Sequence, residues 1–102
     1  MNEVAFKMYL KPNSIEEYKK RHDEIWPELK ALLKDSQIAS YNIYYDAETN
    51  CLFAFQHTNG RGSQSLGEST IVKKWWRYMS DLMETNPDSS PREGNLTKVF
   101  SL

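Results

Sequence analysis

The sequence predicts an α+β fold in which helices cover one face of a four-stranded antiparallel sheet. Three observations carry this. Four short stretches have strand character, three of them with period-two alternation. Two longer stretches repeat apolar residues every three or four positions. The order along the chain is strand, helix, strand, strand, helix, strand. At 102 residues the chain has the length of one domain, and residues 1–102 are read as a single domain able to bury a thin core.

The elements follow in order. Val4, Phe6, Met8 and Leu10 alternate with Ala5, Lys7 and Tyr9, a half-buried strand closed by Lys11-Pro12-Asn13. Ser14 precedes Glu17 by three residues, the spacing of a capping box, so a helix starts there. Its apolar stripe runs Ile15, Tyr18, His22, Ile25/Trp26, Leu29, Leu32/Leu33. Pro27 lacks an N–H and clashes with the preceding turn, so the helix kinks near Trp26 or breaks with Pro27 opening a second segment. Tyr41, Ile43 and Tyr45 alternate with Asn42 and Tyr44 in a second strand. After a turn at 46–50, Cys51, Phe53, Phe55 and His57 alternate with Leu52, Ala54 and Gln56 in a third, giving a hairpin. The run NGRGSQSLGEST reads as a loop. A second helix begins near Ser69 or Thr70, with the stripe Val72, Trp75/Trp76, Met79, Leu82/Met83. A loop with two prolines follows, and LTKVFSL reads as the last strand. The order β-α-β-β-α-β is that of a ferredoxin-like sandwich.

Composition narrows the function classes. Thirteen basic against 14 acidic residues give a net charge of −1, which offers no electrostatic footprint for nucleic acid. The N-terminus has neither a basic leader nor a long apolar run, so no membrane segment and a cytoplasmic location are expected. Cys51 is the one cysteine, and with two histidines it makes a poor metal-ligand set; neither HxxxH nor CxxC occurs. GxSxG, GxGxxG and P-loop patterns are also absent. Cys51 and His57 share a strand face but stand about 20 Å apart at 3.3 Å per residue. Strands two and three carry bulky groups on both faces, which leaves an apolar sheet face for a second copy to cover.

The residues that could do chemistry are aromatic and imidazole groups. Tyr18 and His22 lie one helical turn apart on the same face. His22 is either a core-edge histidine hydrogen-bonded to a neighbour or a general acid–base group, since its ordinary pKa is near operating pH. His57, at a strand end beside the glycine-rich loop, reads as solvated. Trp75 and Trp76 either pack the core or form an apolar platform for the C–H face of a sugar ring. Tyr18, Tyr41 and His22 would then supply polar partners for its hydroxyls.

Taken together, EEYKKRHDEIWPEL, YNIYYD, KKWWRYMSDLM, NPDSSP and the terminal KVF resemble the L-rhamnose mutarotase family, in order and over nearly the whole chain. The resemblance implies a cytoplasmic homodimer of the dimeric α+β barrel type. It implies interconversion of the α and β anomers of L-rhamnose, or a related aldose, with no metal or organic cofactor. It also implies His22 as the proton donor, with Tyr18, Tyr41, Trp75 and Trp76 as substrate contacts. The sequence departs from the family between the third strand and the second helix. There HTNGRGSQSLGEST replaces an acidic, tryptophan-containing helical stretch. The same fold also serves cofactor-independent monooxygenases, haem-degrading enzymes and sugar-binding proteins without catalysis, which stand as alternatives.

Overall fold

The computed structural model describes residues 1–102. Its elements are β1 (Asn2–Tyr9), α1 (Ile15–Asp23), α2 (Pro27–Asp35), β2 (Ile38–Asp46), β3 (Cys51–Thr58), α3 (Thr70–Met79) and β4 (Glu93–Asn95). A single 3-10 turn, Ser63–Ser65, interrupts the loop before α3. The strands form one antiparallel sheet in the order β2-β3-β1-β4. This is the ferredoxin-like α+β arrangement the sequence predicts.

Cross-strand register decides which residues face the helices. Phe6 pairs with Ala54 and Met8 with Leu52, while Ile43 pairs with Ala54 and Tyr41 with Gln56. Side chains directly opposite share a face, so β3 turns Leu52, Ala54, Gln56 and Thr58 inward, all of them buried. Phe53, Phe55 and His57 point to the other face. The core joins Phe6, Met8, Leu52 and Ala54 of the sheet to Tyr18, Leu29, Val72, Trp75, Trp76 and Met79 of the helices.

Pro27 breaks the first helix. Trp26 is extended, with φ −60° and ψ 131°, and Pro27 opens α2 at a position where an N–H has no partner in any case. The Trp26 carbonyl then accepts the Lys30 N–H at 3.0 Å, starting the new helix.

Three expectations are corrected. The capping box does not form: Ser14 Oγ donates to the Pro12 carbonyl at 3.3 Å, and Glu17 pairs with Arg21 at 2.9 Å. The second helix ends at Met79, before Leu82 and Met83. Both remain buried, because a turn returns Met83 to a bridge with Leu10. The last strand is not LTKVFSL but Glu93–Asn95, paired with Phe6–Met8. The preceding loop fixes that place: Lys11 N–H bonds to the Leu82 carbonyl, and Glu84 N–H to the Tyr9 carbonyl. The ends of the Lys7 and Tyr9 side chains lie over Gly94, where a Cβ would fall 2.8 Å from Lys7 Cε and Tyr9 Oη and those side chains would have to move aside. Beyond it, Val99, Phe100 and Leu102 are exposed.

Candidate active site

Between the inward face of the sheet and the helices lies a cavity of about 730 Å³, lined by Tyr18, His22, Tyr41, Trp75 and Trp76. Three separate elements, α1, β2 and α3, bring all five sequence-predicted site residues to one place. The volume lies within the span of small-ligand pockets.

Local structure sets each group. Tyr18 and His22 are one turn apart on α1, and their rings stack at 4.2 Å with 26° between planes. The edge of Trp75 meets the His22 ring at 5.4 Å. Trp26 supports Trp75 from behind at 5.1 Å and stacks on Tyr78 at 5.5 Å. The break at Pro27 therefore leaves Trp26 in the cluster. The two helices are joined across this cluster by Arg21, which donates to the Tyr78 carbonyl at 2.6 Å and to both carboxylate oxygens of Asp81 at 2.8 and 3.2 Å. Its guanidinium also covers the Tyr78 ring at 4.3 Å. That forked geometry fixes orientation as well as distance.

The His22 tautomer follows from its partner. Nδ1 lies 3.0 Å from the Tyr18 carbonyl oxygen. A carbonyl only accepts, so Nδ1 carries the proton and Nε2 keeps the lone pair of the neutral ring. Burial pushes the imidazole pKa below its usual 6.5, against the Tyr18 carbonyl and Asp23, which raise it. At neutral pH His22 is therefore uncharged, with its lone pair at Nε2. Tyr18 is 5% exposed, and burial, with Tyr41 as a second cause, raises its phenol well above the ordinary tyrosine value. Burial likewise raises Tyr41, with Ser63 and Gln56 lowering it in part. Both phenols keep their protons and act as neutral hydrogen-bonding groups.

Trp76 forms another wall, its ring edge lying over Gly67. A Cβ at Gly67 would come within 3.1 Å of Trp76 Cη2 and Cζ3. Ser63 and Gln64 of the glycine-rich loop also line the cavity. Sequence reasoning missed both. The one available signal was Gln56, a polar residue in register with inward-facing Leu52 and Ala54. His57 lies on the opposite sheet face, half exposed, near Ser40 Oγ at 3.0 Å and Glu3 Oε2 at 3.6 Å. Cys51 is buried and free. No group of three or more His, Cys, Asp or Glu side chains is placed to hold a metal ion.

Comparison with known proteins gives this geometry a context. A family model described as L-rhamnose mutarotase matches residues 3–102. The L-rhamnose mutarotase of Bacteroides thetaiotaomicron is 58% identical, with 100% of this chain and 99% of that protein aligned. The L-rhamnose mutarotase of Formosa agariphila is 52% identical over 98% of this chain and 97% of its own length. A crystal structure of an L-rhamnose mutarotase from Formosa agariphila superimposes with a TM-score of 0.92 at 48% identity, covering 100% of this chain and 99% of that one. A conserved protein from Methanosarcina mazei, at TM-score 0.60 and 17% identity, shares the fold alone. With a full-length family match and relatives at this identity, the chain belongs to the L-rhamnose mutarotase family.

Proposed function

We propose that this protein interconverts the α and β anomers of L-rhamnose, with residues 1–102 acting as one domain and without metal or organic cofactor. The observation that carries the proposal is the His22 ring, held at Nδ1 by the Tyr18 carbonyl and free at Nε2, in a cavity walled by indoles and phenols. Mutarotation opens the hemiacetal ring, rotates about C1–C2 and closes the ring on the other face. Opening takes a proton from the anomeric hydroxyl and gives one to the ring oxygen.

His22 Nε2 takes the anomeric proton in the opening step. The resulting imidazolium returns a proton as the ring closes, which is where a proton-donor role for His22 falls. Tyr18, its phenol pKa raised by burial, does not ionise; it hydrogen-bonds the sugar, and the ring oxygen is served by a bound water, or by the Tyr18 hydroxyl passing its proton on as it takes one from water. Tyr41 binds a sugar hydroxyl. Trp75 and Trp76 supply apolar wall for the C–H faces and the 6-methyl group. General acid–base help of about 10²–10⁴-fold is enough for a reaction that already runs in water.

The same reading makes the protein a cytoplasmic homodimer that binds neither nucleic acid nor membrane. The homodimer is supported by the open sheet face, where Tyr44 and Phe55 are exposed with rings 5.8 Å apart. An apolar patch of this kind on a sheet is what a second copy covers. No helix is long and apolar enough to cross a membrane.

Proton NMR saturation transfer between the two anomeric signals of L-rhamnose tests the proposal. Transfer that grows with enzyme concentration is expected. No gain with rhamnose, fucose, mannose or ribose would overturn it, and a Soret band on haem titration would then favour the haem-degrading alternative.

A further inference from the structure

The glycine-rich segment between β3 and α3 is anchored from beneath. Gln56 is completely buried on the inward face of β3, among apolar neighbours. A buried amide is destabilising unless both its ends are hydrogen-bonded. Ser63 meets both. The Ser63 backbone N–H donates to Gln56 Oε1 at 3.0 Å, and Gln56 Nε2 donates to Ser63 Oγ at 2.5 Å. Gly62 allows this approach: its φ is +95°, and a Cβ there would lie 3.0 Å from Gln56 Oε1. The cross-strand partner of Gln56 on β2 is Tyr41, so the two side chains leave the sheet on the same face, and Ser63 and Gln56 lower the Tyr41 phenol pKa against the effect of its burial. Ser63 and Tyr41 line the same cavity wall.

We propose that Gln56 and Ser63 are positioning residues for Tyr41: their reciprocal pair pins the glycine-rich segment to the sheet and fixes the phenol where it meets the sugar. The pair sets sugar affinity and leaves the proton transfer at His22 untouched. This rests on the reading of Tyr41 as a sugar contact. It also accounts for how a loop built of Gly and Ser forms a defined wall. The segment has little apolar surface to bury, and a satisfied buried polar pair specifies one geometry in its place.

The test uses the full chain with ¹³Cζ-labelled tyrosine, the Tyr41 signal being identified by its loss in Tyr41→Phe. Ser63→Ala and Gln56→Leu are compared with wild type by NMR and by anomer exchange. Both variants are expected to move the Tyr41 signal while leaving that of Tyr18 in place. Each should raise KM roughly fivefold to tenfold, the scale of one net hydrogen bond, with kcat within about twofold. In the Tyr41→Phe background the KM effect should vanish. An unmoved Tyr41 signal, or a KM increase that persists in Tyr41→Phe, would overturn the proposal. Should Gln56→Leu fail to fold, Ser63→Ala decides alone, since it keeps the backbone bond to Gln56. Should wild type fail to exchange anomers, the mutarotase reading falls, and the Tyr41 signal still decides whether the pair positions that phenol.

Discussion

Replacing His22 by alanine removes a single ring and the lone pair at Nε2. If that nitrogen carries the anomeric proton, the loss is the general acid–base contribution, about 10²–10⁴-fold in rate, or about 3–5 kcal/mol on the barrier. The structural cost is separate. The ring makes one stack, on Tyr18 at 4.2 Å, and one edge contact, with Trp75 at 5.4 Å. At about 0.5–1.5 kcal/mol each, these stabilise the fold by about 1–3 kcal/mol. The ring borders an open cavity, so water fills its place and no sealed void is left. A domain of ordinary stability, about 5–15 kcal/mol, survives that loss. The variant should therefore fold, bind rhamnose through Tyr18, Tyr41 and the tryptophans, and exchange anomers at least about 100-fold more slowly. The assay is the saturation-transfer rate, with circular dichroism as the control for folding. Free imidazole, small enough for the vacated space, should restore part of the rate. A folded variant exchanging within about threefold of wild type would refute the reasoning, because so small a change is below what any general base supplies.

Other outcomes follow from the same geometry. Activity should fall only on the acid side, with a midpoint below pH 6.5, because burial holds the His22 pKa below that value. A descending limb centred above pH 6.5 would contradict this. Stability shares the sign: the unfolded chain takes up the proton at about 6.5 while the folded chain still resists it. Native stability is therefore lost progressively as pH falls from there toward the folded pKa, by at most about 1.4 kcal/mol per pH unit. Denaturant melts of His22→Ala should lack that part of the acid-side slope. Gly67→Ala places a methyl 3.1 Å from the Trp76 ring, which must shift by a few tenths of an ångström. A loss of about 1 kcal/mol in stability and a raised KM are expected, read by urea melts and exchange kinetics; an unchanged KM would remove Trp76 from the sugar site.

What the sequence made legible is what depends on local periodicity. Alternation marked β1, β2 and β3, and the three-and-four spacing marked α1, α2 and α3. The five candidate residues that line the cavity were legible from local spacing for four of them and, for Tyr41, from the family resemblance. Tyr18 and His22 share one helix turn, and Trp75-Trp76 sit on one amphipathic stripe. Elements fixed by distant contacts were not. β4 is three residues long, and its place is set by pairing with Phe6–Met8 and by long-range loop bonds, Glu84 N–H to the Tyr9 carbonyl and Lys11 N–H to the Leu82 carbonyl among them. The more apolar LTKVFSL has the composition of a strand but no such anchoring. Ser14 and Glu17 have capping-box spacing, yet Arg21 claims the carboxylate. The Gln56–Ser63 pair spans a loop whose backbone path no propensity specifies, so it was visible only once the chain was folded.

The bond from His22 Nδ1 to the helix carbonyl has a consequence for the proposed catalytic cycle. An imidazole with both nitrogens free can pass a proton through the ring, entering at one side and leaving at the other, and must then flip or exchange to recover its starting tautomer. Here one side is permanently engaged. A proton accepted at Nε2 leaves from Nε2, and the ring emerges from each turnover in the tautomer in which it began, whichever anomer departs. The forward and reverse reactions then run through one unreset catalyst, as suits an enzyme whose substrate and product differ only at a single carbon.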